Sequence, residues 1–132
     1  MSSVDPDVPP APAALVPLLL VVALGGAAGA LARYAVGVLL PHGSSSLPVA
    51  TLVVNVVGCF LLGVLVAGWP DARWLRPFLG TGVLGGFTTF STFALEGDRL
   101  VDRAPLVAAL YVGLTLVLGL GAAWTGLRVR LR

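Results

Sequence analysis

Residues 80–93 read Gly-Thr-Gly-Val-Leu-Gly-Gly-Phe-Thr-Thr-Phe-Ser-Thr-Phe, and this stretch decides the fold. It places four glycines and five hydroxyl side chains inside a segment, residues 77–95, that has no formal charge. Glycine lowers helix propensity, and threonine hydroxyls can bond to nearby backbone groups in competition with helical hydrogen bonds. The pattern therefore predicts a membrane helix that is broken near its middle, around Gly85-Gly86 and Thr88-Thr89. Free backbone groups at membrane depth persist only where protein buries them or a polar cavity surrounds them, so the break indicates a functional site.

The composition of the whole chain agrees with a membrane location. Of its 132 residues, 58% are hydrophobic and only 11% are charged, whereas a soluble domain carries about 25% charged residues. All eight basic residues are arginines without a basic cluster, so no nucleic-acid partner is expected. One cysteine excludes an internal disulfide framework. These features indicate a small multi-pass protein of the cell membrane, with the lipid bilayer as its surroundings.

Charge-free windows divide the chain into spans. The windows are residues 8–32, 34–70, 77–95 and 104–127. The second window is too long for one span, and the turn residues 42–46 between Pro41 and Pro48 divide it. We predict four transmembrane helices, at about residues 17–40, 48–69, 75–95 and 105–127. The predicted organisation is a disordered tail over residues 1–16, an all-α membrane domain over 17–127 and a basic tail over 128–132.

Apart from Arg33 and Arg76, the polar side chains inside these spans are uncharged, and they allow two interpretations. They are Thr51 and Asn55 in the second span, the threonines and serine of 80–93 (among them Ser91 and Thr92) in the third, and Tyr111 and Thr115 in the fourth. In the first interpretation they make hydrogen bonds between helices, and Phe87, Phe90 and Phe93, spaced by three on one helix face, are packing residues. In the second they form a narrow pathway of neutral donors and electropositive ring edges, which suits a small anion. No carboxylate lies deep in a window, since Glu96 is expected at the end of the third span. The only histidine, His42, is in a turn, so an enzyme is not expected.

Three motifs resemble the Fluc/CrcB family of fluoride ion channels. They are Gly-Gly-Ala-Ala-Gly-Ala-Leu-Ala-Arg-Tyr at 25–34, Thr-Leu-Val-Val-Asn-Val-Val-Gly at 51–58, and the 80–93 stretch followed by Glu96. The resemblance covers residues 25–125. It implies an antiparallel, dual-topology dimer of four-helix subunits with two pores, and passive export of cytoplasmic fluoride that gives resistance to its toxicity.

The resemblance also implies site residues. Asn55 would donate a hydrogen bond to fluoride, and Phe90 and Phe93 would face the ion with their ring edges. The remaining pore residues would be Thr51, Ser91, Thr92, Tyr111 and Thr115. Gly119 stands where the family has a small polar residue, one turn beyond Thr115. A structural Na⁺ on the dimer axis would be held by backbone carbonyls, which by position belong to Gly85 and Thr88.

The sequence also bears on two other functional classes and on the identity of the second subunit. A proton-coupled multidrug exporter would need a glutamate deep in the first span, and residues 8–32 contain none. A non-transporting assembly subunit would need neither Asn55 nor the two phenylalanines. The second subunit is expected to be another copy of this chain, because every pore element is present in it. A paralogue remains possible, because five arginines lie on one predicted side of the membrane and two on the other. Arg33 could reach toward the second side and make the ratio five to three.

Overall fold

The structure, a computed structural model, describes residues 12–68 and 73–129, which form helices joined by short connections. Helix α1 is Pro12–Leu39 and α2 is Val49–Gly68. The third span begins as a π-helical segment, Pro77–Leu84, and continues as the single turn α3, Gly85–Phe87. It resumes as α4, Phe90–Arg103, and α5 is Pro105–Arg128. Within these described ranges, four spans are long and apolar enough to cross a membrane. The predicted all-α, multi-pass membrane fold is therefore confirmed.

Helix α1 begins earlier than the sequence predicts. It starts at Pro12, so residues 12–16, placed above in the N-terminal tail, are helical. Proline suits the first helical position because its missing N–H has no helical acceptor there. The remainder of that tail, residues 1–11, and residues 130–132 of the C-terminal tail lie outside the described residues.

The break in the third span is confirmed, but its position is at the threonines and not at the glycine pair. Gly85 is helical, with φ −64° and ψ −37°, whereas Thr88 has ψ 160° and Thr89 has φ −150° and ψ 124°. The neighbouring glycine serves packing: a Cβ on Gly86 would collide with the carbonyl oxygen of Gly26 in α1. Threonine, being β-branched, adopts the extended backbone readily, so the interruption falls there.

The third span also continues beyond its predicted end at residue 95. Helix α4 runs to Arg103, with Gly97 and Leu100 buried and Asp98 and Arg99 exposed. Apart from Glu96, its charged residues occupy the exposed face of an amphipathic helix, a pattern that a search for charge-free windows does not detect. Glu96 therefore lies within the helix and not at its end, and this corrects its predicted position.

Backbone contacts at glycines hold the helices around the break. A Cβ on Gly29 of α1 would meet the carbonyl of Val83 in the π-helical segment. A Cβ on Gly126 of α5 would meet the carbonyl of Phe60 in α2. In a membrane, such close approach supplies the packing energy that the hydrophobic effect does not. The break is consequently fixed between two tightly packed pairs of segments, α1 with the first half of the third span and α2 with α5.

Candidate functional site

Asn55 bridges the break with both ends of its side-chain amide. Its Nδ2 donates to the carbonyl oxygen of Thr89 at 3.0 Å, and its Oδ1 accepts from the Thr89 N–H at 2.9 Å. A single side chain thus satisfies both backbone groups of the extended residue. Since Nδ2 carries two hydrogens, one of them is left for another acceptor.

The threonines at the break redirect further backbone hydrogen bonds. The hydroxyl of Thr89 caps α4 by accepting from the N–H of Thr92 at 3.2 Å, and the hydroxyl of Thr88 donates to the carbonyl of Leu84 at 2.9 Å. In a continuous helix the Thr89 N–H would bond to the carbonyl of Gly85, and the Thr92 N–H to that of Thr88. Both donors are used elsewhere, so these two carbonyls lose their helical partners.

A cavity of about 440 Å³ adjoins the break. Its polar lining includes Asn55, Thr88, Thr89 and Thr115, and Phe90 and Phe93 supply aromatic surface. Among the described residues, those that line this cavity carry no formal charge. It therefore presents hydrogen-bond donors and aromatic rings without a charged side chain.

Aromatic rings connect this cavity to α5. The centroids of Phe90 and Phe93 are 5.9 Å apart, and those of Phe93 and Tyr111 are 5.3 Å apart, with the ring planes tilted in both pairs. Tyr111 is completely buried, whereas Phe90 is 80% exposed. Phe90 therefore presents its ring at the surface of the subunit beside the break.

A second cavity, of about 300 Å³, lies on the other side of Thr89. Thr51, Thr92, Glu96 and Arg33 line it. Glu96 accepts hydrogen bonds on both oxygens, from the Thr51 hydroxyl at 3.0 Å and from the Tyr111 hydroxyl at 2.8 Å. The charged groups of the site are therefore concentrated here, away from the neutral cavity.

The predicted pore residues thus divide between two cavities that meet at Thr89. Asn55, Phe90, Phe93 and Thr115 line the neutral cavity, and Thr51 and Thr92 line the charged one. Tyr111 is buried and links the two through its ring and its hydroxyl.

Two predicted residues have a less direct relation to the cavities. Ser91 is exposed and lies outside both, with its Oγ 3.3 Å from the Thr89 hydroxyl oxygen. The Thr115 hydroxyl donates to the carbonyl of Tyr111 at 2.7 Å, so its oxygen, and not its proton, faces other partners. Phe87 does not share the face of Phe90 and Phe93, because the break separates it from them and its ring lies near Gly58.

Sequence reasoning missed the cluster around Glu96. The Nε2 of His42 lies 3.7 Å from Glu96 Oε1, although 54 positions separate the two residues in the sequence. Glu96 follows the hydroxyl-rich stretch one helical turn after Thr92, and that spacing was the available signal. Nothing in the sequence pattern places His42 beside it.

Comparison with known proteins agrees with this geometry. The family described as "CrcB-like protein, Camphor Resistance (CrcB)" matches residues 20–127, which include every residue that lines the two cavities. The chain belongs to the CrcB-like family. The two cavities and the break thus all lie inside the part of the chain that defines this CrcB-like protein.

Curated relatives carry the name of an ion channel. A protein of Streptomyces avermitilis, "Fluoride-specific ion channel FluC 2", is 50% identical over 105 residues, which are 76% of this chain and 66% of that protein. A protein of the same name from Nocardia farcinica is 46% identical over 129 residues, which are 86% and 92% of the two chains. "Fluoride-specific ion channel FluC" of Rhodospirillum centenum is 48% identical over 117 residues, or 83% and 92%.

The bridge made by Asn55 can be tested by hydrogen exchange of the backbone. In Asn55→Leu the amide of Thr89 loses its acceptor, and a lost hydrogen bond worth about 1 kcal/mol should speed its exchange roughly fivefold. The measurement is exchange of the segment 88–93 in the purified protein in detergent. Thr51→Val is the matched control on the same helix face, since it removes the bond to Glu96 and leaves both bonds between Asn55 and Thr89 in place. Equal exchange in Asn55→Leu and Thr51→Val would mean that Asn55 does not hold the break.

Proposed function

We propose that this CrcB-like protein is a fluoride-specific ion channel that exports cytoplasmic fluoride by passive electrodiffusion. The observation that carries this proposal is the break at Thr88–Thr89, which brings neutral hydrogen-bond donors and aromatic edges to an uncharged cavity inside a membrane span. The names of the relatives, "Fluoride-specific ion channel FluC", support the same ion. Conduction of this kind relieves fluoride toxicity without a chemical reaction.

The donors at the break suit a small anion that must also leave. Asn55 has one amide hydrogen that Thr89 does not use, and the amides of Phe90 and Ser91 in the first turn of α4 have no helical acceptor. Helix N-termini favour anions through these exposed N–H groups. The edges of Phe90 and Phe93 add a weak positive potential. None of these groups is a full charge, so an anion can be held without being trapped.

The direction of transport follows from the membrane potential. Neutral HF crosses lipid and dissociates in a near-neutral cytoplasm, which leaves fluoride inside. An inside-negative potential favours exit of one negative charge by about 2.3 kcal/mol per 100 mV. No coupling ion is required, which is consistent with the absence of a carboxylate among the residues that line the neutral cavity.

A second subunit completes the pathway in this proposal. Phe90 is 80% exposed at the break, and a second four-helix subunit in the opposite orientation would cover it and close the cavity. We favour another copy of this chain, because Asn55, Phe90 and Phe93 are all present in it. A paralogue is the alternative, and Streptomyces avermitilis, for example, has relatives named FluC 2 and FluC 3.

A structural Na⁺ on the dimer axis is also part of the proposal. The carbonyls of Gly85 and Thr88 have lost their helical donors to Asn55 and to the Thr89 hydroxyl, and both residues line the neutral cavity. Carbonyl oxygens are the ligand type that hard cations prefer. The donor set therefore fits Na⁺, whose charge would offset part of the cost of bringing an anion into a medium of low dielectric constant.

Fluoride efflux tests the assignment of the aromatic pair. Liposomes that contain the purified wild-type protein should release fluoride, as measured with a fluoride electrode. Phe90→Ile and Phe93→Ile keep apolar bulk but lose the electropositive ring edge, so each should slow release at least about tenfold, a barrier increase of about 1.4 kcal/mol.

The matched control is Phe78→Ile, which removes a ring from the third span outside both cavities. It should release fluoride at close to the wild-type rate. If Phe90→Ile and Phe93→Ile release fluoride at the wild-type rate and elute like the wild-type protein, the two rings serve packing and not conduction.

The composition of the dimer is tested by expressing the chain alone with a cysteine tag after Arg132. If the chain inserts in both orientations, a membrane-impermeant thiol reagent labels the tag from both sides of the membrane, and the purified protein conducts fluoride. Cys59→Ser removes the native thiol so that only the tag reacts. Labelling from one side only, together with absent efflux, would contradict the homodimer and require a paralogue.

A further inference from the structure

His42 occupies a position that the proposed conduction function does not explain. It lies in the connection between α1 and α2, yet its ring reaches the carboxylate of Glu96 in α4, with Nε2 and Oε1 3.7 Å apart. The histidine side chain is 31% exposed and that of Glu96 is 13% exposed. A group in contact with solvent is thus directly connected to a carboxylate in the interior.

Glu96 in turn contacts the proposed fluoride pathway. Its two oxygens accept hydrogen bonds from the hydroxyls of Thr51 and Tyr111. An ionised carboxylate only accepts hydrogen bonds, so two donors, one on each oxygen, fit the charged form. A fixed negative charge here opposes the approach of fluoride to Thr89 and the neutral cavity beyond it.

The surroundings of the pair are otherwise basic. Arg99 and Arg103 of α4 line a small cavity together with His42 and Glu96, and Ser44 and Ser46 of the connection add hydroxyls. Arg33 and Tyr34 of α1 line the adjoining cavity, which also contains both members of the pair. Among the described residues that line these two cavities, Glu96 is the only carboxylate. Among these lining residues, Glu96 therefore carries the one negative charge at this end of the proposed fluoride pathway, its mouth.

We propose that a proton on His42 neutralises Glu96 at the mouth of the fluoride pathway, so that conduction rises in acid. Histidine takes up its proton between about pH 8 and pH 5, and a cation 3.7 Å from the carboxylate converts a single negative charge into a neutral ion pair. The other charged or titratable side chains that face Glu96 are the arginines and Tyr34 of the two cavities and Tyr111, which donates to it. This role rests on the proposed fluoride conduction.

The direction of the effect is useful to a cell. More HF forms outside as the pH falls, and more fluoride is then left in the cytoplasm. In the antiparallel dimer proposed above, the two connections that carry His42 face opposite sides of the membrane, so one of the two mouths faces the outside. The mouth would then become more permissive under the conditions that load the cell with fluoride.

The test is the ratio of fluoride efflux rates at pH 5.5 and pH 7.5, with the same pH inside and outside the liposomes. Leakage of HF is measured in protein-free liposomes at each pH and subtracted. Neutralising the charge of Glu96 should make wild-type efflux roughly 3- to 10-fold faster at pH 5.5 than at pH 7.5. His42→Gln should release fluoride at the wild-type pH 7.5 rate at both pH values. His42→Arg should release it at the wild-type pH 5.5 rate at both.

Arg103→Gln is the matched control, because it alters the charge of the same cavity and leaves His42 and Glu96 in place. It should keep the wild-type ratio even if its absolute rate changes. A wild-type protein with equal rates at both pH values, or His42→Gln with the wild-type ratio, would overturn the role of His42 and leave the channel function standing. A wild-type protein that releases no fluoride at either pH would overturn the channel function itself.

Discussion

The two hydrogen bonds between the Asn55 side chain and the backbone of Thr89 are the interaction on which the rest of the structure depends. A membrane offers no water to an exposed N–H or carbonyl, and each unsatisfied group costs several kcal/mol. A span can therefore be interrupted only if another part of the protein supplies the missing partners. Asn55 satisfies both groups of one extended residue, and the Thr89 hydroxyl satisfies the amide of Thr92.

The same two bonds determine the chemistry of the site. The N–H of Thr89 donates to the Asn55 side chain, and the N–H of Thr92 donates to the Thr89 hydroxyl. The carbonyls of Gly85 and Thr88 therefore lose their helical donors. At the same point α4 begins, and its first amides lack acceptors. One interruption thus produces free oxygens suited to a cation and free N–H groups suited to an anion, a few residues apart in one span.

The fold and much of the site could be predicted from the sequence because both depend on local composition. Charge-free windows indicate four spans, and the hydroxyl-rich stretch at 80–93 indicates a break. The exact position of the break could not be predicted, because Gly86 lies against the backbone of α1, a tertiary contact. The π-helical segment Pro77–Leu84 likewise has no local signature.

The charged mouth could be predicted least. His42 and Glu96 meet only after α1, α2 and α4 have packed, and the arginines around them come from two different helices. Asn55 was identified as a polar side chain in a span, but its spacing from Thr51 does not reveal that it holds Thr89. The structure therefore separates a neutral cavity from a charged cavity that contains Glu96.

The central claim is that weak, neutral donors at a break in a membrane span conduct fluoride selectively. The most direct test loads liposomes that contain the purified chain with equal concentrations of fluoride and chloride, and follows both ions with selective electrodes after a K⁺ ionophore is added. The account predicts rapid release of fluoride while chloride stays inside. Release of both ions at similar rates, or of neither, would contradict it.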